Sequence, residues 1–197
     1  MRLILASGSP RRKQILTEMG MDFTVCPAEV EELSGHLYPE RVPIINAILK
    51  AEHIADQYPG DLILGADTVI EFAGAVIGKP GTLREAGEML LALSGHTHAV
   101  TTAVCLLCRN TAVRCVFCAS TQVVFRPFGT AVVDEYLRKV EVLDKAGAYA
   151  IQEYGEMLVE RISGPLDNVV GLPADRLREA LYCCGLASLI LNDAPPR

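Results

Sequence analysis

Leu3-Ile4-Leu5-Ala6-Ser7-Gly8-Ser9-Pro10-Arg11-Arg12 is the stretch on which the fold turns. Four apolar residues form a short buried strand, and Ser7-Gly8-Ser9 a permissive loop. Pro10 then opens a helix, as the residue favoured at a first helical position, with Ser9 a good N-cap before it. Leu16 and Met19 give that helix its apolar face, and Gly20 stops it. Two hydroxyls, the free N–H groups of a helix start and two guanidinium groups therefore share one small volume. That combination suits an anion, and a polyphosphate in particular. A capped helix carrying two solvated arginines is the plainer reading; the strand–loop–helix context and the paired arginines favour the anion site.

Outward from this stretch, strands and helices alternate. Phe23–Cys26 reads as a second strand, followed by the acidic loop Glu29-Val30-Glu31-Glu32. Ile44, Ile45, Ile48, Leu49 and Ile54 recur at helical spacing within a helix expected from Pro39 to Gln57. Asp61–Ala66 is a buried strand that delivers Asp67 and Thr68 at its C-terminal end. A hairpin follows, turning at Ala73-Gly74, and then a helix capped by Thr82 that runs to Leu93. Residues 97–125 read as two long antiparallel strands. Thr130–Val140 is helical, Ala148–Ile151 and Met157–Ile162 are strands, and Asp175–Cys184 is the last helix. Residues 186–197 read as a terminal tail. No repeat or linker interrupts the chain, so the expected fold is α/β: one domain over residues 1–197, with a mixed sheet and two lobes around a cleft.

The 197 residues are half hydrophobic, which suffices for a real core, and carry a net charge of −6. Such a balance excludes general nucleic-acid binding, so cations must be concentrated locally if the ligand is anionic. No apolar run reaches membrane-spanning length and the N-terminus lacks a secretory pattern; the expected location is the cytoplasm. Seven cysteines, an odd number, disfavour a disulfide framework. Cys105/Cys108 and Cys115/Cys118 form two C-x-x-C units, but Leu-Leu and Val-Phe fill them within β-forming runs. Alternation puts such cysteines on opposite faces, as small hydrophobes of a hairpin. Zinc is the lesser reading.

Asp67 is the sharpest candidate for catalysis, a carboxylate at the sheet edge where open α/β folds bind ligands; a turn or cap role is its alternative. Glu31 and Glu32 are solvated unless a polyphosphate faces them, in which case the pair becomes a hard-cation site for Mg²⁺. Lys79 sits in a rigid Gly-Lys-Pro turn. Lys50 and Lys145 default to solvent, and His96 and His98 to surface or core. Gln152 is an amide able to read a base edge or to satisfy a structural partner. Serines and cations on one side and carboxylates on the other form a set that supports attack of water on a phosphoanhydride.

These residues resemble the Maf family of nucleoside triphosphate pyrophosphatases over 2–185. The resemblance rests on ordered blocks at 3–12, Val-Glu-Glu at 30–32, Gly-Ala-Asp-Thr at 65–68 and Gly-Lys-Pro at 78–80. It continues through Leu-Ser-Gly-His-Thr-His at 93–98, Asp-Lys-Ala-Gly-Ala-Tyr at 144–149 and Val-Gly-Leu-Pro at 170–173. It implies an inosine triphosphate pyrophosphatase-like fold with an elongated mixed sheet. It also implies hydrolysis of a nucleoside triphosphate to the monophosphate and pyrophosphate with Mg²⁺ or Mn²⁺, and a homodimer. Asp67 matches the general base; Ser7, Arg12, Glu32, Lys50 and Lys79 match phosphate-, metal- or substrate-contacting positions. Ser9 joins the phosphate set from the loop itself, and Glu32 with Asp67 makes the metal pair. Arg11, Thr68 and Gln152 match the dTTP/UTP subgroup and are read as the base-selecting set. Glu31 where many relatives have Asp, and Leu49 where many have Glu, are the departures. House-cleaning of modified nucleotides is the same chemistry on other bases. The alternative from a different class is a nucleotide-responsive regulatory module linked to cell division and septum formation.

Overall fold

In the computed structural model, residues 1–34 and 38–189 are described. The architecture is built on one seven-stranded mixed sheet in the order β2-β1-β3-β5-β6-β7, with β4 against β3. Its strands are β1 (Leu3–Leu5), β2 (Phe23–Val25), β3 (Leu62–Phe72), β4 (Ala75–Ile77), β5 (Thr97–Cys108), β6 (Val113–Phe125) and β7 (Val159–Ser163). β1 runs parallel to β2 and β3; every other pairing is antiparallel. The helices are α1 (Pro10–Glu18), α2 (Val42–Ala55), α3 (Leu83–Leu93), α4 (Thr130–Lys139), α5 (Leu166–Val170) and α6 (Ala174–Cys183).

Strand alternation divides the core. Leu62, Leu64 and Ala66 of β3 face Leu16 of α1 and Leu177 and Leu181 of α6. Ile63, one residue out of phase, faces Ala47, Ala51 and Ile54 of α2. A third cluster lies under α3 and α4, where Leu90, Leu93, Val133 and Tyr136 meet Val100, Val123 and Phe125. Each fully buried leucine in these layers contributes roughly 2 kcal/mol. The contact of α2 with β3 is very close at Gly65. A Cβ on Gly65 would lie 2.2 Å from the Ala47 carbonyl oxygen and 2.8 Å from the Ala51 nitrogen. Only glycine in the strand, opposite two alanines in the helix, permits that approach.

Several expectations are corrected. Asp67 is not at a strand end, because β3 continues to Phe72. Its exposure to a cleft has another cause: β1 stops at Leu5 opposite Leu64, and β4 pairs only from Ile70 onward. Between them, residues 65–69 of β3 have no strand on that edge, and Asp67 and Thr68 occupy the gap. Ala148–Ile151 is not a strand either. Gly147 and Ala148 both adopt positive φ, and the Ala150 N–H is bound by the Tyr136 hydroxyl at 3.0 Å instead of a strand neighbour. The helix expected over 39–57 is a 3₁₀ turn at Pro39–Arg41 followed by α2. Leu186 is buried and Ala187–Leu189 form a further turn, so the chain remains packed past the expected start of the tail. Residues 190–197 lie outside the described residues.

Other expectations hold. The turn at Ala73-Gly74, with φ of 52° and 77°, joins β3 to β4. Thr82 caps α3 by accepting the Glu85 N–H at 3.1 Å. Cys105 and Cys108 are buried in different clusters on opposite faces of β5, as small hydrophobes. No helix among the described residues is long and apolar enough to cross a membrane.

Candidate active site

A cleft of about 700 Å³ opens beside the gap in β3, and the ten residues given catalytic, phosphate, metal or base-selecting roles above line it, whereas Glu31, His96 and His98 do not. The first wall comes from the loop between β1 and α1. Leaving β1, the chain makes one more sheet bond, Ala6 N–H to Leu64 C=O at 2.9 Å, and then turns. The Ser7 hydroxyl accepts the Ser9 N–H at 3.3 Å and an Arg12 Nη1–H at 3.0 Å. Pro10 opens α1 as expected, but the Ser9 side chain makes no cap hydrogen bond. The Ser9 hydroxyl is half-buried on the cleft wall.

The paired arginines separate. Arg12 is buried: its Nε donates to the Gly171 carbonyl at 2.9 Å and its Nη2 to the Thr68 hydroxyl at 3.1 Å. Desolvation pulls this guanidinium below its ordinary pKa, with the Asp67 charge partly opposing. Arg11 lines the cleft as a half-buried side chain.

Asp67 faces the other way from Thr68, because consecutive strand residues point to opposite faces. It therefore meets α2 across Gly65. Two successive turns of that helix each supply a donor. Lys50 Nζ binds Asp67 Oδ1 at 2.8 Å, and Asn46 Nδ2 binds Oδ2 at 3.1 Å. The same ammonium binds Glu32 Oε1 at 2.7 Å, so two carboxylates converge on one cation. Partial burial works against the charge of Glu32, yet the hydrogen bond and charge of Lys50, with Lys79 and Arg12 beyond, hold its pKa below the ordinary carboxylate value. Asn46 also accepts the Leu33 N–H at 2.8 Å and donates to the Leu33 carbonyl at 3.2 Å, fixing the acidic loop to α2.

The donor set fits a hard divalent cation. Glu32 and Asp67 already surround the point held by the Lys50 ammonium, and both are oxygen ligands of the kind such ions take. No group of three or more His, Cys, Asp or Glu among the described residues is placed to hold an ion alone. Two carboxylates with the remaining positions left to phosphate oxygens and water is the usual arrangement for Mg²⁺ at a nucleotide.

Elsewhere along the cleft, the side chains of Arg11, Lys79 and Gln152 form no hydrogen bond or ion pair among the described residues, and Lys79 and Gln152 are exposed. The turn that carries Lys79 is tied to the 144–153 segment by the Gly147 N–H, which donates to the Gly78 carbonyl at 3.0 Å. Lys145, expected in solvent, is buried; it binds Asp144 at 2.9 Å and the Glu141 carbonyl, with Glu153 at 3.6 Å. Tyr149 stands on the cleft wall, its hydroxyl 2.8 Å from His98 Nε2. Burial pushes the pKa of His98 down to about 4, keeping the ring neutral.

Asn46, Lys145 and Tyr149 were not among the expected site residues. A polar amide within the apolar run Ile44-Ile45-Asn46-Ala47-Ile48-Leu49 was the available signal for Asn46; an unpaired buried amide is costly, so it must have a partner.

Comparison with known proteins bears out the family resemblance. A family model described as Maf-like protein matches residues 2–184. A protein of Halalkalibacterium halodurans named dTTP/UTP pyrophosphatase is 42% identical over 187 residues, covering 94% of this chain and 97% of that one. One from Akkermansia muciniphila with the same name is 39% identical over 92% of this chain and 94% of its own. One from Bacillus anthracis, again so named, is 40% identical over 89% and 92%. The solved structure of the Staphylococcus aureus Ham1 protein superposes with a TM-score of 0.53 at 17% identity, covering 94% of this chain and 99% of that one. That likeness shows the fold, the elongated mixed α/β architecture that the resemblance implied. The chain belongs to the Maf family.

Proposed function

We propose that this Maf-family chain hydrolyses nucleoside triphosphates, dTTP and UTP foremost, to the nucleoside monophosphate and pyrophosphate. The observation that carries the reading is Asp67: a buried carboxylate with a donor on each oxygen, in one cleft with a buried guanidinium. The names of the relatives support the choice of nucleotide.

Ser7, Ser9, Arg12, Lys50 and Lys79 bind and orient the triphosphate, and Arg12 and the two lysines offset its charge. Asp67 is the general base. It takes a proton from a water molecule as that water's oxygen bonds to phosphorus and the phosphoanhydride P–O bond breaks, releasing pyrophosphate. Glu32 and Asp67 would hold a divalent ion, Mg²⁺ or Mn²⁺. When bound, such an ion polarises the phosphoryl oxygens and neutralises developing charge. Asn46 and Lys50 each hold one oxygen of Asp67 and so fix the carboxylate in the cleft. Arg11 and Gln152 face the base. A homodimer and a cytoplasmic location belong to the same reading.

The test is pyrophosphate release by the purified protein from a nucleotide panel with Mg²⁺ or Mn²⁺, methylated and oxidised bases included. Release from dTTP and UTP is expected, and Asp67→Asn should lower turnover by roughly 10²–10⁴-fold with the fold intact. Preference for a purine nucleotide would overturn the specificity. Full turnover by Asp67→Asn would overturn the catalytic assignment.

A further inference from the structure

Lys145 is buried beside carboxylates that do not need it. Its side chain is 7% exposed, whereas those of Asp144 and Glu153 are 62% and 46% exposed. Carboxylates so placed are hydrated without a partner, and ion pairs at a surface stabilise a fold little. Withdrawing the ammonium from water is costly. Stability alone therefore does not account for the arrangement.

The ammonium donates to Asp144 Oδ1 at 2.9 Å and to the Glu141 carbonyl, and it faces Glu153 Oε1 at 3.6 Å. An ammonium has three protons, and here each has an oxygen of the same segment to meet. Two of those oxygens stand at the ends of the stretch that carries Gln152. Glu153 follows Gln152 directly, and its N–H closes a turn on the Ala150 carbonyl at 3.2 Å. The Tyr136 hydroxyl accepts the Ala150 N–H at 3.0 Å and donates to the Ala150 carbonyl at 3.3 Å. The backbone at Gln152 is thus pinned two residues before it by Tyr136 and one residue after it by Lys145. At the other end of the stretch, Asp144 lines the cleft together with Arg11. Partial burial works against the charge of Asp144, yet the hydrogen bond and charge of Lys145, with Arg11 beyond, hold its pKa below the ordinary carboxylate value.

We propose that Lys145 is a positioning residue for base recognition, setting Gln152 through Glu153 and the Arg11 guanidinium through Asp144. The proposal rests on the reading of Arg11 and Gln152 as facing the base. Lys145→Met keeps the stem and removes the ammonium. Measured by pyrophosphate release, it should raise KM for dTTP and UTP about five- to tenfold with kcat within about twofold of wild type, as when one hydrogen bond to bound substrate is lost. The ratio of kcat/KM on UTP to that on a purine triphosphate should fall about fivefold. In an Arg11→Ala, Gln152→Ala background the same substitution should change that ratio by less than about twofold, because it acts through those two side chains. Glu153→Lys, at an exposed position, should shift KM and the ratio in the same direction, and it carries the test if Lys145→Met folds poorly.

A folded Lys145→Met protein with unchanged KM and ratio would overturn the proposal. So would an equal loss on every triphosphate, which makes Lys145 a phosphate contact, or a fall in kcat alone. Arg11→Ala and Gln152→Ala variants that keep the wild-type ratio would instead overturn the reading of the base end on which it rests.

Discussion

The two ends of the cleft are built differently. At the phosphate end, Ser7, Arg12, Lys50, Asp67 and Glu32 are joined by hydrogen bonds and ion pairs of 2.7–3.1 Å that exist before any ligand arrives. At the base end, the Arg11 and Gln152 side chains form none among the described residues. Groups that must meet developing charge gain from being fixed in advance, because no reorganisation is then needed at the moment of reaction. Groups that only distinguish one base from another can settle around it.

The contrast can be broken most severely at Gly65. Gly65→Ala forces α2 away from β3 and withdraws Lys50 and Asn46 from Asp67 together. Turnover should fall at least a hundredfold, with a loss of about 3 kcal/mol or more in a denaturant melt, as for overpacked cores. If the variant keeps wild-type turnover, the rigidity of the phosphate end is not what catalysis uses. A milder probe of the same end is Asn46→Leu, which removes its three hydrogen bonds and adds no charge. It should lower kcat about tenfold and change KM for dTTP less than about threefold, measured by pyrophosphate release. A rise in KM alone would assign Asn46 to binding.

The smallest effects belong to the other end. Arg11→Ala and Gln152→Ala should leave the melting midpoint within about 0.5 kcal/mol of wild type, as surface changes do. Their mark should be a several-fold change in the ratio of rates on UTP and a purine triphosphate. A base-end variant that unfolds the protein would erase the distinction between the two ends.

Much of the phosphate end was legible in the sequence, because its chemistry is local. Ser7-Gly8-Ser9-Pro10 declares a strand-to-helix turn, and Arg12 lies on the inward face of the helix that follows. Asp67 was legible for its residue type but not its setting. The gap that exposes it depends on where β1 and β4 end, and neither limit is written near residue 67. Asn46 and Lys145 were missed for the same reason: the partner of Asn46 lies 21 residues away, and Lys145 is buried by a turn whose positive φ at Ala148 no propensity favours. The strand expected at 148–151 failed there too, since the apolar run is packed by Tyr136 and not by a neighbouring strand.

Arg12 lost its water during folding and faces only neutral acceptors, whereas Lys79 keeps its hydration at the mouth of the cleft. Dissolved ions screen an exposed charge over about 8–10 Å at ordinary ionic strength, and a buried one far less. Rising salt will therefore weaken the contribution of the outer cation first and spare that of the inner one. The molecule divides its hold on a triphosphate into a part that depends on the medium and a part settled when the chain folds.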